Sequence, residues 1–249
     1  MTGSLQLASL LRRYGTFLGF LLIVSFFWSQ RPDTFMTTRN WLNITQQVSI
    51  LCVISFTMTL VMVGGDFDLS VGSMASLSGM IAAVLWQQDV SLFGALGTAL
   101  LVGAFGGVLN GVLVAYAGLS AFVATLGTLT IFSGLALLVS DGKTIFGRAI
   151  PEIVGDFSRG GIPLAEGIQL PNLTLIAISI LILMGIVLQH TVFGRNLHAV
   201  GGNREASLLA GVPVARLRLI AFAVNSVGAA IAGLMLVSRL SSANPTQGD

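Results

Sequence analysis

The sequence predicts an all-α, polytopic transmembrane helix bundle of about seven spans with a cytoplasmic N-terminus, and three observations carry that prediction. Of 249 residues, 54% are apolar and only 9% charged, against about 25% charged in an ordinary soluble domain. That is too little charge to cover a water-facing surface, and the mean hydropathy of +0.90 agrees. The apolar residues fall in runs close to the ~20 that a helix needs to cross a ~30 Å hydrocarbon core. None of the runs alternates in polarity as a barrel strand would. Arginines gather on one set of the links between runs, the mark of the cytoplasmic side. This composition excludes a cytosolic enzyme, a nucleic-acid binder and a disordered chain. Cys52 is the only cysteine and lies inside an apolar run, so no disulfide forms within the chain.

Each span has its own justification. The first, 14–29, follows Arg12 and Arg13 as a signal peptide would, but no small-x-small cleavage site comes after it. The chain continues Phe26-Phe27-Trp28-Ser29-Gln30-Arg31, so the run reads as a retained helix. The second, 44–63, stops at Gly64-Gly65, and the third, 71–88, resumes with Ser70 or Asp68 suited to cap it. The fourth, 92–117, carries Ala95, Ala99, Gly103, Gly107, Gly111 and Ala115 at four-residue spacing, on one face. Such a face lets another backbone approach closely. Helix packing is its first reading, and lining a path the other. Spans 121–140, 171–189 and 219–237 complete the set.

Orientation follows from the arginines. Arg12 and Arg13 put the N-terminus inside, and alternation puts the 190–218 link inside too, where Arg195, Arg204, Arg216 and Arg218 face the single acid Glu205. The long 141–170 loop falls outside, and the whole chain reads as a single membrane domain, 1–249. That loop is too polar to span and too long for a turn, which suits contact with a soluble partner.

Two stretches can carry function. In Gly64-Gly65-Asp66-Phe67-Asp68-Leu69-Ser70, two carboxylates sit beside paired glycines with hydrocarbon on both sides. Irregular backbone at such a place is tolerated where it is buried in protein or lines a cavity, and there it can bind a polar solute. The competing reading of Asp68 is a structural cap. Asn110 and Asn225 lie within spans, where an amide needs a partner; each either lines a polar path or bonds across helices. In the inner link, Asn203 can cap a short helix over 203–210 with Glu205 in its first turn, Gly211 stops it, and Pro213 prevents continuation. A short helix on the cytoplasmic face suits docking of a partner.

Enzymatic readings fail on residue type. Gly142-Lys143-Thr144 ends like a phosphate-binding loop, but the required first glycine is Leu137. Asp66 and Asp68 are too close in sequence for an intramembrane aspartyl protease, and the Gly-x-Ser-Gly of an intramembrane serine protease is absent. His190 and His198 read as snorkelling or capping groups rather than metal ligands. No metal site and no catalytic constellation is expected.

Four motifs then occur in order: Asp68-Leu69-Ser70-Val71-Gly72-Ser73, Ala121-Phe122-Val123-Ala124-Thr125-Leu126-Gly127, Gly201-Gly202-Asn203-Arg204-Glu205-Ala206 with Ala210-Gly211-Val212-Pro213-Val214, and Arg239-Leu240-Ser241-Ser242-Ala243-Asn244-Pro245-Thr246. From about residue 40 onward the chain resembles the permease subunits of bacterial ABC importers for monosaccharides of the ribose, xylose and galactose type. The resemblance implies a multi-pass subunit of the bacterial inner membrane, embedded in lipid and paired with a second permease copy. Cytoplasmic ATP-binding cassette subunits would drive it and a periplasmic binding protein would deliver the sugar. No cofactor is expected in this chain, since ATP and Mg belong to the ATPase, and no nucleic acid is involved. On that resemblance Gly202, Asn203, Arg204, Glu205, Ala206 and Gly211 form the element that couples to the ATPase. Asp68, Ser70, Asn110, Phe122 and Thr125 are the expected residues of the substrate pathway. Asp66 stands where the family more often has glycine, so no family role passes to it, and Ala210 replaces a usual serine. Family members also continue past Asn244-Pro245-Thr246 with further spans, whereas this sequence stops at Asp249, as a fragment or a split subunit would. A passive facilitator and a non-transporting subunit are the alternative expectations.

Overall fold

The computed structural model describes residues 2–165 and 168–248, with side chains from position 14 onward. The helices before the first long link are α1 (Thr2–Gln30), α2 (Pro32–Phe35), α3 (Thr38–Val63), α4 (Val71–Gln87), α5 (Leu92–Ala115) and α6 (Ala121–Val139). There follow β1 (Ile145–Phe146), α7 (Glu152–Arg159), β2 (Gly161–Ala165), β3 (Ile168–Pro171), α8 (Asn172–His190), α9 (Val192–Gly202), α10 (Arg204–Leu209), α11 (Val214–Leu240) and β4 (Ser242–Ala243). Among the described residues, α3, α5, α6, α8 and α11 are long and apolar enough to cross a membrane, while 14–30 and α4 are shorter apolar helices. The chain divides into two compact units, one ending at Thr45 and one beginning at Gln46. In the first, the Phe27 and Phe35 rings stack 5.9 Å apart and Phe35 meets Trp41 edge-on. The second holds every feature discussed below.

The centre of the second unit is α11, laid along α5 and against α4. The small-residue stripe of α5 is that seam. A Cβ at Gly103 would lie 2.6 Å from the Cβ of Ala230, and one at Gly111 only 2.8 Å from the Cα of Leu219. Ala95 and Ala99 of the same stripe are fully buried. In a solvent of hydrocarbon, such close backbone contact replaces the hydrophobic effect as the force that joins helices. Ordinary helix packing therefore accounts for the stripe.

Two sequence expectations need correction. The 141–170 loop is not a bare loop. β2 and β3 pair as an antiparallel hairpin, and β1 pairs with β4 in the register Ile145↔Ala243 and Phe146↔Ser242. The short amphipathic α7 is pinned to α11, with the Ser158 hydroxyl donating to the Ser238 carbonyl and the Ser238 hydroxyl to the Val154 carbonyl. The 190–218 link is also mostly helical. Thr191 caps α9 by accepting from the Gly194 N–H at 3.1 Å, and α11 begins at Val214 rather than at position 219. Pro213 supplies the reason for that early start. It suits the entry of a helix, where its missing N–H costs nothing.

The 141–171 segment thus meets the residues after α11 at one end of the unit, and the 64–70 link meets α9, α10 and the start of α11 at the other. This two-ended arrangement is the one that alternating spans require.

Candidate functional site

The 64–70 link begins with a helix stop built by glycine. Gly65 has φ +81°, its N–H donates to the Met62 carbonyl, and the Asp66 N–H reaches back to the Val61 carbonyl. That pair of bonds closes α3 and needs a left-handed residue at Gly65. The chain then turns inward. Asp68 and Ser70 are 1% and 0% exposed.

Around them lies a buried knot of polar groups drawn from four other elements. One oxygen of Asp68 accepts from the Ser70 N–H at 2.9 Å and the Ser70 hydroxyl at 2.6 Å, and the other accepts from the Asn225 amide of α11 at 3.0 Å. The Asn110 amide of α5 donates to the Ser70 oxygen at 2.8 Å, and Thr128 of α6 donates to the Asn110 oxygen at 2.7 Å. Thr125, also on α6, accepts the Leu69 N–H at 3.1 Å, and Thr57 of α3 stands 3.4 Å from the Asn225 oxygen. Hydrogen bonds to a carboxylate contribute about 1.5–3 kcal/mol each, and an orphaned buried donor costs about as much. The knot therefore locks the 64–70 link, α3, α5, α6 and α11 together at one point. Asp68 sits in the link, outside both flanking spans, where burial raises its carboxyl pKa and the hydrogen bonds from Ser70 and Asn225 oppose that rise.

The geometry alters the capping expectation. Neither Ser70 nor Asp68 caps α4: the Ser70 side chain makes no capping bond, because its hydroxyl donates to Asp68 while its oxygen receives Asn110. Four of the five expected pathway residues, Asp68, Ser70, Asn110 and Thr125, do come together. The fifth, Phe122, lies apart and 58% exposed. It lines an open cavity of about 690 Å³ with Asp66, Phe67, Leu119, Arg204 and Arg218. Asn225 and Asn110 both bond across elements, and Thr128 joins them without having been singled out in the sequence.

At the same end of the unit α10 stands as the short helix predicted over 203–210. The Asn203 oxygen accepts from the Ala206 N–H at 2.9 Å, with Glu205 in the first turn. Gly211, at φ +81°, closes it: its own N–H donates to Leu208 and the Val212 N–H to Ser207. Gly202, Asn203, Arg204, Glu205 and Ala206 are exposed. So, with no foresight from the motif, are Leu208 and Leu209, at 64% and 90%. An adjacent leucine pair in an arginine-rich link was the signal available.

Asp66, given no role above, is gripped from two sides. Arg218 of α11 donates to it in fork geometry, Nε at 2.6 Å and Nη2 at 2.8 Å, and Arg204 of α10 donates at 3.3 Å. His198 bonds its own helix, Nδ1 lying 2.8 Å from the Gly194 carbonyl oxygen.

Residues 40–249 match the family described as branched-chain amino acid transport system / permease component. The ribose import permease protein RbsC of Haemophilus influenzae is 33% identical over 99% of this chain and 75% of its own length. The D-allose transport system permease protein AlsC of Escherichia coli is 33% identical over 95% of this chain and 71% of its own. The L-arabinose transport system permease protein AraH of Escherichia coli is 36% identical over 85% of this chain and 62% of its own. No solved structure matches the chain.

Proposed function

The chain belongs to the permease family of branched-chain amino acid transport systems, and on that premise we propose that it is the permease subunit of a bacterial ABC importer for a monosaccharide. The family description names amino acids, yet the three relatives described above, each covering most of this chain, are permeases for ribose, allose and arabinose. All three solutes are dense in hydroxyls that both donate and accept. The knot offers the matching chemistry, since Asp68, Ser70, Asn110 and Thr125 supply acceptors and donors in one place. In this reading they face the path when the helices part, and Phe122 offers an apolar ring at the cytoplasmic mouth. Alternating access at the bacterial inner membrane is driven by ATP and Mg bound in separate cytoplasmic subunits. A second permease copy completes the pathway and a periplasmic binding protein delivers the sugar.

The observation that carries the ATP-driven reading over a passive facilitator is α10. A capped helix with leucines 64% and 90% exposed is a poor use of apolar surface unless something covers it. Burying two such side chains is worth about 1.5–3 kcal/mol each. The test is binding of purified ATPase subunits to membranes holding the chain. Leu209→Asp should weaken binding at least about tenfold; Asn203→Ala, which removes a cap worth about 1 kcal/mol, should weaken it several-fold. Unchanged binding in both variants would refute docking through α10.

A further inference from the structure

The link carries two carboxylates two residues apart, and α11 holds both. Asp68 is bonded by Asn225 and Asp66 by Arg218. Those partners are seven residues apart, two helical turns, so they lie on one face of α11 about 10 Å apart along its axis. Asp66 and Arg218 have side chains 8% and 9% exposed, and Arg218 also donates to the Val114 carbonyl of α5 at 3.2 Å. Arg204 adds the third member from α10, with its side chain 44% exposed. Backbone contact reinforces the grouping. Any side chain at Gly201, near the end of α9, would run into the Val63 carbonyl, and the Gly201 Cα lies 3.6 Å from where a Cβ on Gly65 would stand.

We propose that Asp66, clamped between Arg218 and Arg204, is the positioning residue that makes α10, the 64–70 link and α11 move as one body. A displacement of α10 is thereby delivered to the buried Asp68–Asn225 contact. The proposal rests on the permease reading for what displaces α10, but the clamp itself is a mechanical claim about this chain. An isolated fork-shaped guanidinium–carboxylate pair is directional, unlike a lysine contact, so it transmits rotation as well as translation. Removing one partner of a buried pair leaves an uncompensated charge, a far larger loss than that of an exposed pair. The Asp66–Arg218 arm therefore carries the clamp, and Arg204 trims the register of α10.

Two readouts test this in the full chain reconstituted in liposomes. The first is the distance distribution between spin labels at Leu209 on α10 and Leu138 at the far end of α6, in a Cys52→Ser background. Asp66→Asn should raise the displaced population of α10 at least about tenfold, and Arg204→Gln about two- to fivefold; Arg216→Gln, which removes an exposed like charge beside Arg218, should leave it unchanged. The second, with ATPase and binding protein added, is sugar taken up per ATP hydrolysed. Asp66→Asn should lower that ratio while ATPase docking persists, and Arg218→Gln combined with it should be no worse than either alone. Unaltered distances in both Asp66→Asn and Arg204→Gln overturn the clamp, as does a wild-type uptake ratio in Asp66→Asn. If the wild type imports nothing, the permease reading falls and the distance measurement alone decides the clamp.

Discussion

Replacing Asp68 by alanine should destabilise the chain far more than replacing it by asparagine, because the knot can adapt to one and not to the other. Alanine removes the acceptor of the Ser70 N–H, the Ser70 hydroxyl and the Asn225 amide. The hydroxyl can rotate, so two donors are left buried and unpaired, at about 1–3 kcal/mol each. Asparagine keeps one acceptor oxygen for Ser70. Its new amide faces Asn225, whose side chain can turn over and accept; the displaced Asn225 amide then faces Thr57, which donates to the Val53 carbonyl at 3.1 Å and has an oxygen free to receive it. What asparagine loses is the charge on three bonds, about 1 kcal/mol each. It is partly repaid by relief of the burial that raises the Asp68 pKa. The expected costs are roughly 2–6 kcal/mol for Asp68→Ala and no more than about 2 kcal/mol for Asp68→Asn. Thermal unfolding of the chain in lipid nanodiscs, followed by tryptophan fluorescence, reads this out. At about 2–4 °C per kcal/mol for a chain of this size, alanine should lower the midpoint by at least ~4 °C and asparagine by less. Equal midpoints for alanine and wild type, or a larger drop with asparagine than with alanine, would refute the knot as drawn.

Other expectations follow from the packing and from α10. Gly111→Leu should force α5 from α11 at a cost of about 1–3 kcal/mol, seen as a lower unfolding midpoint, whereas Gly127→Ala, with nothing within 4 Å of its Cβ, should stay within about 0.5 kcal/mol of wild type. The graded loss of ATPase binding from Asn203→Ala to Leu209→Asp, measured on one membrane preparation, separates a weakened helix from a lost contact.

How much was legible in the sequence depended on the range of the cause. Local hydropathy sets span limits within two residues of α4, α5, α6 and α8, and gives the end of α3, while α3 itself starts six residues earlier, at Thr38 in a polar stretch. The Asn203 cap and the Gly211 stop were readable because both are set within one turn of chain. Pro213 both ends α10 and opens α11, so α11 begins five residues before position 219, where the apolar run starts. The signal for α9 is local, in Thr191 followed by Val192, Phe193, Leu197 and Val200 at helical spacing. The fold of the 141–171 segment is hidden, since β1 finds its partner β4 nearly a hundred residues later. Asp66 was hidden most deeply. Its partners lie 138 and 152 positions away, and only the folded chain brings Arg204 and Arg218 to it. The polar knot gathers for the same reason in reverse: Asp68, Asn110 and Asn225 are polar where the surroundings are apolar, so each finds another.

The most direct test of the central claim is sugar uptake into proteoliposomes containing the chain, its ATPase and its binding protein, with labelled ribose, allose and arabinose each offered with ATP and with a non-hydrolysable analogue. The account predicts accumulation of at least one sugar above its outside concentration with ATP, and none with the analogue. Equal uptake with both would contradict it in favour of a facilitator, and no uptake of any of the three would contradict the monosaccharide permease itself.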